Sequence, residues 1–539
     1  MCIRDRFLSC LAGATAGAAV GRLPAAPAGR KPNFILFFTD DQGYNDVGCF
    51  GSPQIRTPNF DRMAREGIRL TDFYAQPVCG PSRAALMTGC YPIRVGEPGN
   101  TKGQHSILHP KEVTVAEVLK GAGYATGLIG KWHLAGGRRS QYPRELMPLG
   151  QGFDFFFGTP LHNGFTRTVT PRSFKTQWMR GNEVIDDFLD QGEMDLVTQT
   201  YTKEAIGFIR KHRDEPFFLY LAHNMPHVPL GASEAFRGKS KRGLYGDVIE
   251  ELDWSLGQIL ATLKELGLDE HTLILFTSDN GPWVERQIGD YGGSADPLRG
   301  SKMMTWDGGP RVPCIARWPG RIPAGKVSGE LVTTMDVLPT FAGLAGATLP
   351  DGRILDGRDA WPVLSGQPDA NSPHEAYYFY CYTHLQAVRS GRWKLVLPRP
   401  AKPPWCGWSA RMVDAVEELS LYDLKTDIEE KHNVAGQHPD VVTRLMGLIE
   451  KARADLGDYD RVGQGARFFD DGPKRPDMGF WKRRRRPTRA KASAAPKYDG
   501  AEPVGRLRFT FEEGMDGWRV VEGDLPAARS TAMPFYRRG

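Results

Sequence analysis

The sequence predicts an α/β fold, with a mostly parallel central sheet flanked by helices and then a smaller C-terminal antiparallel sheet plus one helix. Continuous apolar runs of strand length recur at Pro32–Thr39, Ala125–Ile129, Glu215–Ala222 and Thr272–Thr277. Such runs suit strands buried on both faces of a parallel sheet. Helical patterns lie between them at Thr57–Gly67, Val113–Ala122 and Val248–Leu266, the alternation of an α/β chain. Beyond a helix start near Met335–Thr340 the pattern changes to short strands, Ala387–Arg389, Trp393–Leu397 and Glu418–Leu424, and then to a helix from about Pro439 to Asp455.

At 539 residues the chain exceeds what one hydrophobic core serves, and about 150 residues per domain predicts two to four units. We divide it into a leader at 1–29, a main α/β domain at 31–370, an α+β subdomain at 371–465, an irregular linker at 466–500 and the start of a truncated β-sandwich module at 501–539. The leader has Arg4 and Arg6, then an apolar core and small residues, the order of an export signal. Its Arg-Asp-Arg-Phe-Leu wording resembles a twin-arginine signal, which predicts export to the periplasm or beyond. No later stretch reaches the roughly 18 apolar residues needed to cross a bilayer.

The formal charge of +6 is local. Lys482–Lys497 carries eight basic residues and no acid, and without them the remainder stands at −2. That excludes a nucleic-acid-binding body and leaves a solvated basic linker. Eight cysteines at 2, 10, 49, 79, 90, 314, 381 and 406 show no Cys-x-x-Cys pair, so neither a zinc site nor a disulfide framework is indicated.

In chain order, the first strand ends in Asp40-Asp41-Gln42-Gly43, two carboxylates at the edge where open α/β sheets bind ligands. Adjacent acids repel, and a cation is the natural reason to pair them. Val78-Cys79-Gly80-Pro81-Ser82-Arg83 then opens a helix, with proline tolerated in the first turn, Ser82 available as a cap and the dipole favouring an anion beside Cys79. After Ala125–Ile129 come Lys131 and His133, alternate residues of an extended segment that present a cation and a base to one side. The strand ending at Ala222 is followed by His223 and His227, and the fourth by Ser278-Asp279-Asn280-Gly281. Asp40, Asp41, Asp279 and Asn280 form a hard oxygen donor set without histidine, which selects Ca²⁺ or Mg²⁺ over Zn²⁺.

Cys79-Gly80-Pro81-Ser82-Arg83 followed by Ala84-Ala85-Leu86-Met87-Thr88-Gly89 resembles the signature of the type I sulfatases, of the alkaline phosphatase superfamily. Gly130-Lys131-Trp132-His133 resembles their second signature, Pro226-His227-Val228-Pro229 their substrate-facing histidine, and Gly300-Ser301-Lys302 a segment whose lysine contacts sulfate. Asp307 replaces a commoner glutamate and Met303-Met304 replace smaller residues, leaving that rim's shape open. The resemblance implies that Cys79 is oxidised to formylglycine by a formylglycine-generating enzyme and lies against one Ca²⁺ held by Asp40, Asp41, Asp279 and Asn280. It implies that the aldehyde hydrate is the nucleophile, that Arg83, Lys131 and Lys302 hold sulfate oxygens, that His227 protonates the leaving alcohol and that His133 releases the sulfate. The implied activity is hydrolysis of a sulfated carbohydrate or aryl sulfate. A phosphate mono- or diester hydrolase of the same superfamily and a polyanion binder using the basic linker are the alternatives.

Overall fold

The computed structural model describes residues 30–95, 107–136, 142–163, 176–186, 190–285, 289–467 and 469, and the backbone of 508–510 and 519–522. The leader at 1–29, the Lys482–Lys497 run and most of 501–539 lie outside them. Contacts divide the chain into Met1–Trp481 and Lys482–Gly539. In the second unit the backbone segments Arg508–Thr510 and Arg519–Glu522 pair antiparallel.

The main sheet contains β1 (Asn33–Thr39), β2 (Ile68–Tyr74), β3 (Ala125–Lys131), β4 (Phe155–Thr159), β5 (Trp178–Arg180), β6 (Glu183–Asp186), β7 (Phe217–Ala222), β8 (Thr272–Ser278), β9 (Arg311–Arg317), β10 (Lys326–Ser328) and β11 (Val332–Thr333). Its order is β10-β2-β9-β8-β1-β7-β3-β4-β5-β6, with β11 also on β2. The central five, β8-β1-β7-β3-β4, are all parallel. Their C-terminal ends therefore share one edge, and Thr39 of β1 stands in register with Ser278 of β8.

The apolar runs are explained by burial on both faces. Ile35, Phe37, Leu219, Leu221, Ile274 and Phe276 join one core under helices Pro58–Arg65, Val197–Lys211 and Gly243–Glu265. The alternate residues Phe34, Leu36, Phe218, Tyr220, Leu273 and Leu275 join a second core under helices Cys79–Thr88, Val115–Gly121 and Val337–Ala345. Strand side chains alternate faces, so only a run apolar at every position serves two helix layers.

The C-terminal strands β12 (Tyr377–Cys381), β13 (His384–Ser390), β14 (Trp393–Val396) and β15 (Ser420–Asp423) form an antiparallel sheet, backed by helix Pro439–Asp455 through Leu445, Leu448 and Ile449. β12 was not anticipated. A buried ion cluster joins this sheet to the main one. Lys394 Nζ lies 2.8 Å from Asp307 and 2.7 Å from Glu430, Tyr74 donates to Asp307 at 2.7 Å, and Asp72 pairs with Arg311 and Arg389. Asp307, expected on a rim, is fully buried in this junction.

Three local expectations are corrected. Ser82 does not cap the Cys79–Thr88 helix: its Oγ accepts from Gln76 N at 3.2 Å, and the helix has no side-chain cap. The helix expected at Thr57–Gly67 spans Pro58–Arg65, and Thr57 at its N-cap position makes no side-chain cap, its hydroxyl going to Asp61. The helix expected from Val248 starts at Gly243. Among the described residues no helix is long and apolar enough to cross a membrane.

Candidate active site

Except for Lys302, which lies in the long segment between β8 and β9, each candidate residue ends or follows a central strand or belongs to the Cys79–Thr88 helix. After β1 the chain turns sharply, with Asp41 at φ 64°. Its N–H donates to Asp279 Oδ1 at 3.1 Å, tying the two strand ends together. Asn280 Nδ2 donates to Asp41 Oδ1 at 2.8 Å. Within β3, Gly130 has φ 116°, and a Cβ there would come within 1.8 Å of Ala222 O. Only glycine lets β3 approach β7 this closely and deliver Lys131 to the edge.

Asp40, Asp41, Asp279 and Asn280 are all buried. One donor atom each from Asp40, Cys79 and Asp279 lies within 4.8 Å of the others, and the same holds for Asp40, Asp41 and His227. Three carboxylates here face three cations. Lys131 Nζ pairs with Asp40, Lys302 Nζ with Asp41 at 2.6 Å, and Arg83 Nη2 with Asp279 at 2.8 Å. Asp40 Oδ1 and Asn280 Oδ1 are nonetheless buried with no hydrogen-bond partner. Buried polar atoms without partners are costly and rare, and two such oxygens among carboxylates fit a hard cation.

Electrostatics follow from burial. Burial, then the charge of Asp40, push Asp279 up to about 6. Burial also raises the Cys79 thiol, against the pull of Lys131 and Lys302, so an unmodified Cys79 stays protonated and is a poor nucleophile. Lys302 is lowered by burial but raised overall by Asp41 and its neighbours, and its ammonium lies 4.8 Å from the Trp283 ring centroid. His133 and His227 are both held well below the ordinary imidazole range, by burial first and then by the lysines.

The structure brings all ten candidates together but changes how some are used. Arg83, expected on sulfate oxygens, places Nε and Nη2 on Asp279 and Nη1 on Lys131 O and Tyr220 Oη. Lys131 and His133 do not share one extended segment, since β3 ends at Lys131 and His133 turns with φ 63°. Histidine is also not absent from the carboxylate cluster, for His227 Nε2 lies 3.7 Å from Asp41 Oδ2. The other ring nitrogen, Nδ1, is 2.6 Å from Val228 O. A carbonyl only accepts, so Nδ1 carries the proton and Nε2 is the atom that exchanges one. His223 belongs to the core, with its ring 4.8 Å from Phe37.

Tyr220, Trp283 and His162 were missed. Tyr220 hid inside an apolar run, although a buried phenol needs a partner. Trp283 stands three residues beyond Asn280, packs 5.6 Å from His227 and donates from Nε1 to Glu285 at 2.7 Å. His162 follows β4, whose signal was the unread run Phe155-Phe156-Phe157.

The fold and the edge cluster are those of the alkaline phosphatase superfamily of hydrolases. The model of the family described as Sulfatase matches residues 32–347, and that described as N-sulphoglucosamine sulphohydrolase, C-terminal, matches 301–455. Steryl-sulfatase of Mus musculus is 39% identical over 525 residues, covering 80% of this chain and 84% of that one. N-acetylgalactosamine-6-sulfatase of Canis lupus familiaris is 40% identical over 390 residues, covering 69% and 73%. Among solved structures, the PsFucS1 sulfatase from Pseudoalteromonas sp. superposes with a TM-score of 0.70 at 29% identity, covering 79% and 90%. The chain belongs to the sulfatase family and is a sulfuric ester hydrolase.

Proposed function

We propose that this enzyme hydrolyses the sulfate ester of a sulfated carbohydrate or aryl sulfate through formylglycine formed at Cys79, with one Ca²⁺ in the site. The observation that carries the reading is Cys79 Sγ within 4.8 Å of carboxylate oxygens of Asp40 and Asp279, at the first residue of a helix. Asp40, Asp41, Asp279 and Asn280 would hold the ion, and the unpartnered Asp40 Oδ1 and Asn280 Oδ1 support that assignment. When bound, Ca²⁺ offsets negative charge on the sulfate oxygens and lowers the proton affinity of the nucleophilic hydroxyl.

The chain's own groups do the rest. Arg83 fixes Asp279, and Lys131 and Lys302 turn their ammonium groups to the sulfate oxygens as charge builds there. His227 Nε2 protonates the leaving oxygen, and an anionic substrate beside it raises its proton affinity from the low value that burial imposes. His133 removes a proton from the second hydroxyl of the hydrated aldehyde, so that sulfate leaves and the aldehyde returns.

Maturation requires a formylglycine-generating enzyme, and the leader at 1–29 directs export, by a twin-arginine-type route. N-terminal mapping of protein recovered outside the cytoplasm tests the second point. For the chemistry, protein made with the converting enzyme should yield a residue-79 peptide lighter than the thiol form, with sulfur replaced by oxygen and two hydrogens lost. Cys79→Ser should fold yet show negligible turnover, because serine has no second hydroxyl from which to release the ester. Full activity in the serine variant, or with an intact thiol, would overturn the mechanism.

A further inference from the structure

We propose that His162 is a specificity-determining residue that hydrogen-bonds a hydroxyl next to the ester oxygen of the substrate, selecting esters of vicinal diols such as sugars and catechols. The inference rests on the assignment of His227 to the leaving oxygen. Its own observation is placement: His162 stands between the two histidines of the site. Its ring centroid lies 5.3 Å from that of His133 and 5.4 Å from that of His227, nearly parallel to the latter at 25°.

That position is built from both sides. β4 is the parallel neighbour of β3, with Lys131 opposite Thr159, so the chain after β4 emerges at the same edge as the site. Trp132 N donates to Thr159 O and His133 N to Pro160 O, both at 3.0 Å. On the far side Asn163 Nδ2 donates to His227 O at 3.1 Å, and Asn163 Oδ1 accepts from Asn224 at 2.6 Å. His162 is thus clamped between a bond to the His133 turn and a bond to the His227 turn. It is partly exposed, whereas His227 is buried, so it stands nearer to solvent than the acid does.

The chemistry follows from the spacing. The sulfate oxygens have Lys131 and Lys302, and the ester oxygen has His227. A hydroxyl on the neighbouring carbon lies about one hydrogen-bond length from that ester oxygen. An imidazole one ring further out meets it and can donate or accept. A hydrogen bond made to a substrate hydroxyl favours that substrate over the analogue lacking it.

The test compares 2-hydroxyphenyl sulfate with phenyl sulfate, assayed by sulfate release, on protein whose residue 79 is shown by mass to be the aldehyde. His162→Phe keeps a flat ring between the imidazoles but removes the hydrogen bond. It should lower kcat/KM for 2-hydroxyphenyl sulfate about tenfold more than for phenyl sulfate, and His162→Gln should restore most of the difference. Equal losses on both substrates, or no loss on either, would overturn the proposal. His227→Ala, run alongside, should depress both substrates. Its failure to do so would undo the acid assignment, a result distinct from the His162 substrate ratio.

Discussion

Asp279 sets how the site responds to protons. Burial and the charge of Asp40 raise it from its ordinary 3.8 to about 6. A carboxyl raised in the folded protein binds its proton more tightly there than in the unfolded chain. Its contribution to the stability of metal-free protein is therefore present below about pH 4 and is lost as pH rises through about 6. Calcium needs the ionised form, so proton and ion compete, and calcium affinity should fall about tenfold per pH unit below about 6. Calcium titrations of the metal-free protein near pH 5 and near pH 7.5 measure this, and equal affinities would contradict it. Asp41→Ala and Asp279→Ala each remove a charged oxygen donor, and both should lose bound calcium and turnover together; stoichiometric calcium retained in both variants would sink the assignment. His227→Ala should slow a sugar sulfate by about 10²–10⁴-fold and an activated aryl sulfate far less, because a good leaving group needs little protonation. Losses of equal size would move the acid role elsewhere, Lys302 being the next candidate.

Between elements, the consequential feature is the ion cluster that docks the C-terminal sheet. Lys394 stands between Asp307 and Glu430, and all three are buried. Burial raises Asp307, but Lys394, Arg311 and Arg389 outweigh it and hold the carboxyl low. Burial leaves Glu430 raised to about 7. Removing one partner of a buried cluster leaves an uncompensated charge, so Lys394→Met should cost about 3–5 kcal/mol, read from the shift in denaturant midpoint. A change within about 0.5 kcal/mol, the range of an ordinary surface substitution, would show that the cluster contributes nothing to docking. None of this was legible in advance. Asp307 differed from the family pattern by one methylene, and only the position of β14 shows that the shorter acid meets Lys394.

At the scale of the whole molecule, the division after Trp481 predicts that the chain shortened to residues 1–481 keeps its unfolding midpoint and its kcat/KM on a soluble aryl sulfate. Loss of either would show that the segment from Lys482 onward supports the catalytic unit. The same shortened chain should lose any salt-dependent binding to heparin that the full chain shows, since the basic run goes with the deleted segment.

Sequence by itself determined four of the five central strands, because a segment buried on both faces must be apolar at every position, and β1, β7 and β8 each end within two residues of the expected place. It also determined the chemical inventory at their ends, since Asp40, Asp41, Lys131, His133, His227, Asp279 and Asn280 directly follow such runs and Cys79 opens its helix. It did not disclose β4, whose phenylalanines lay in a stretch without a motif, and so it did not disclose His162. Only the tertiary structure decided which groups meet. Arg83 is committed to Asp279, Lys302 to Asp41, and His227 reaches the carboxylates because parallel strand order brings segments some 200 residues apart to one edge. Motifs are local and survive in one dimension. A hydrogen bond or an ion pair between distant segments depends on strand order and register, which no stretch of sequence carries alone.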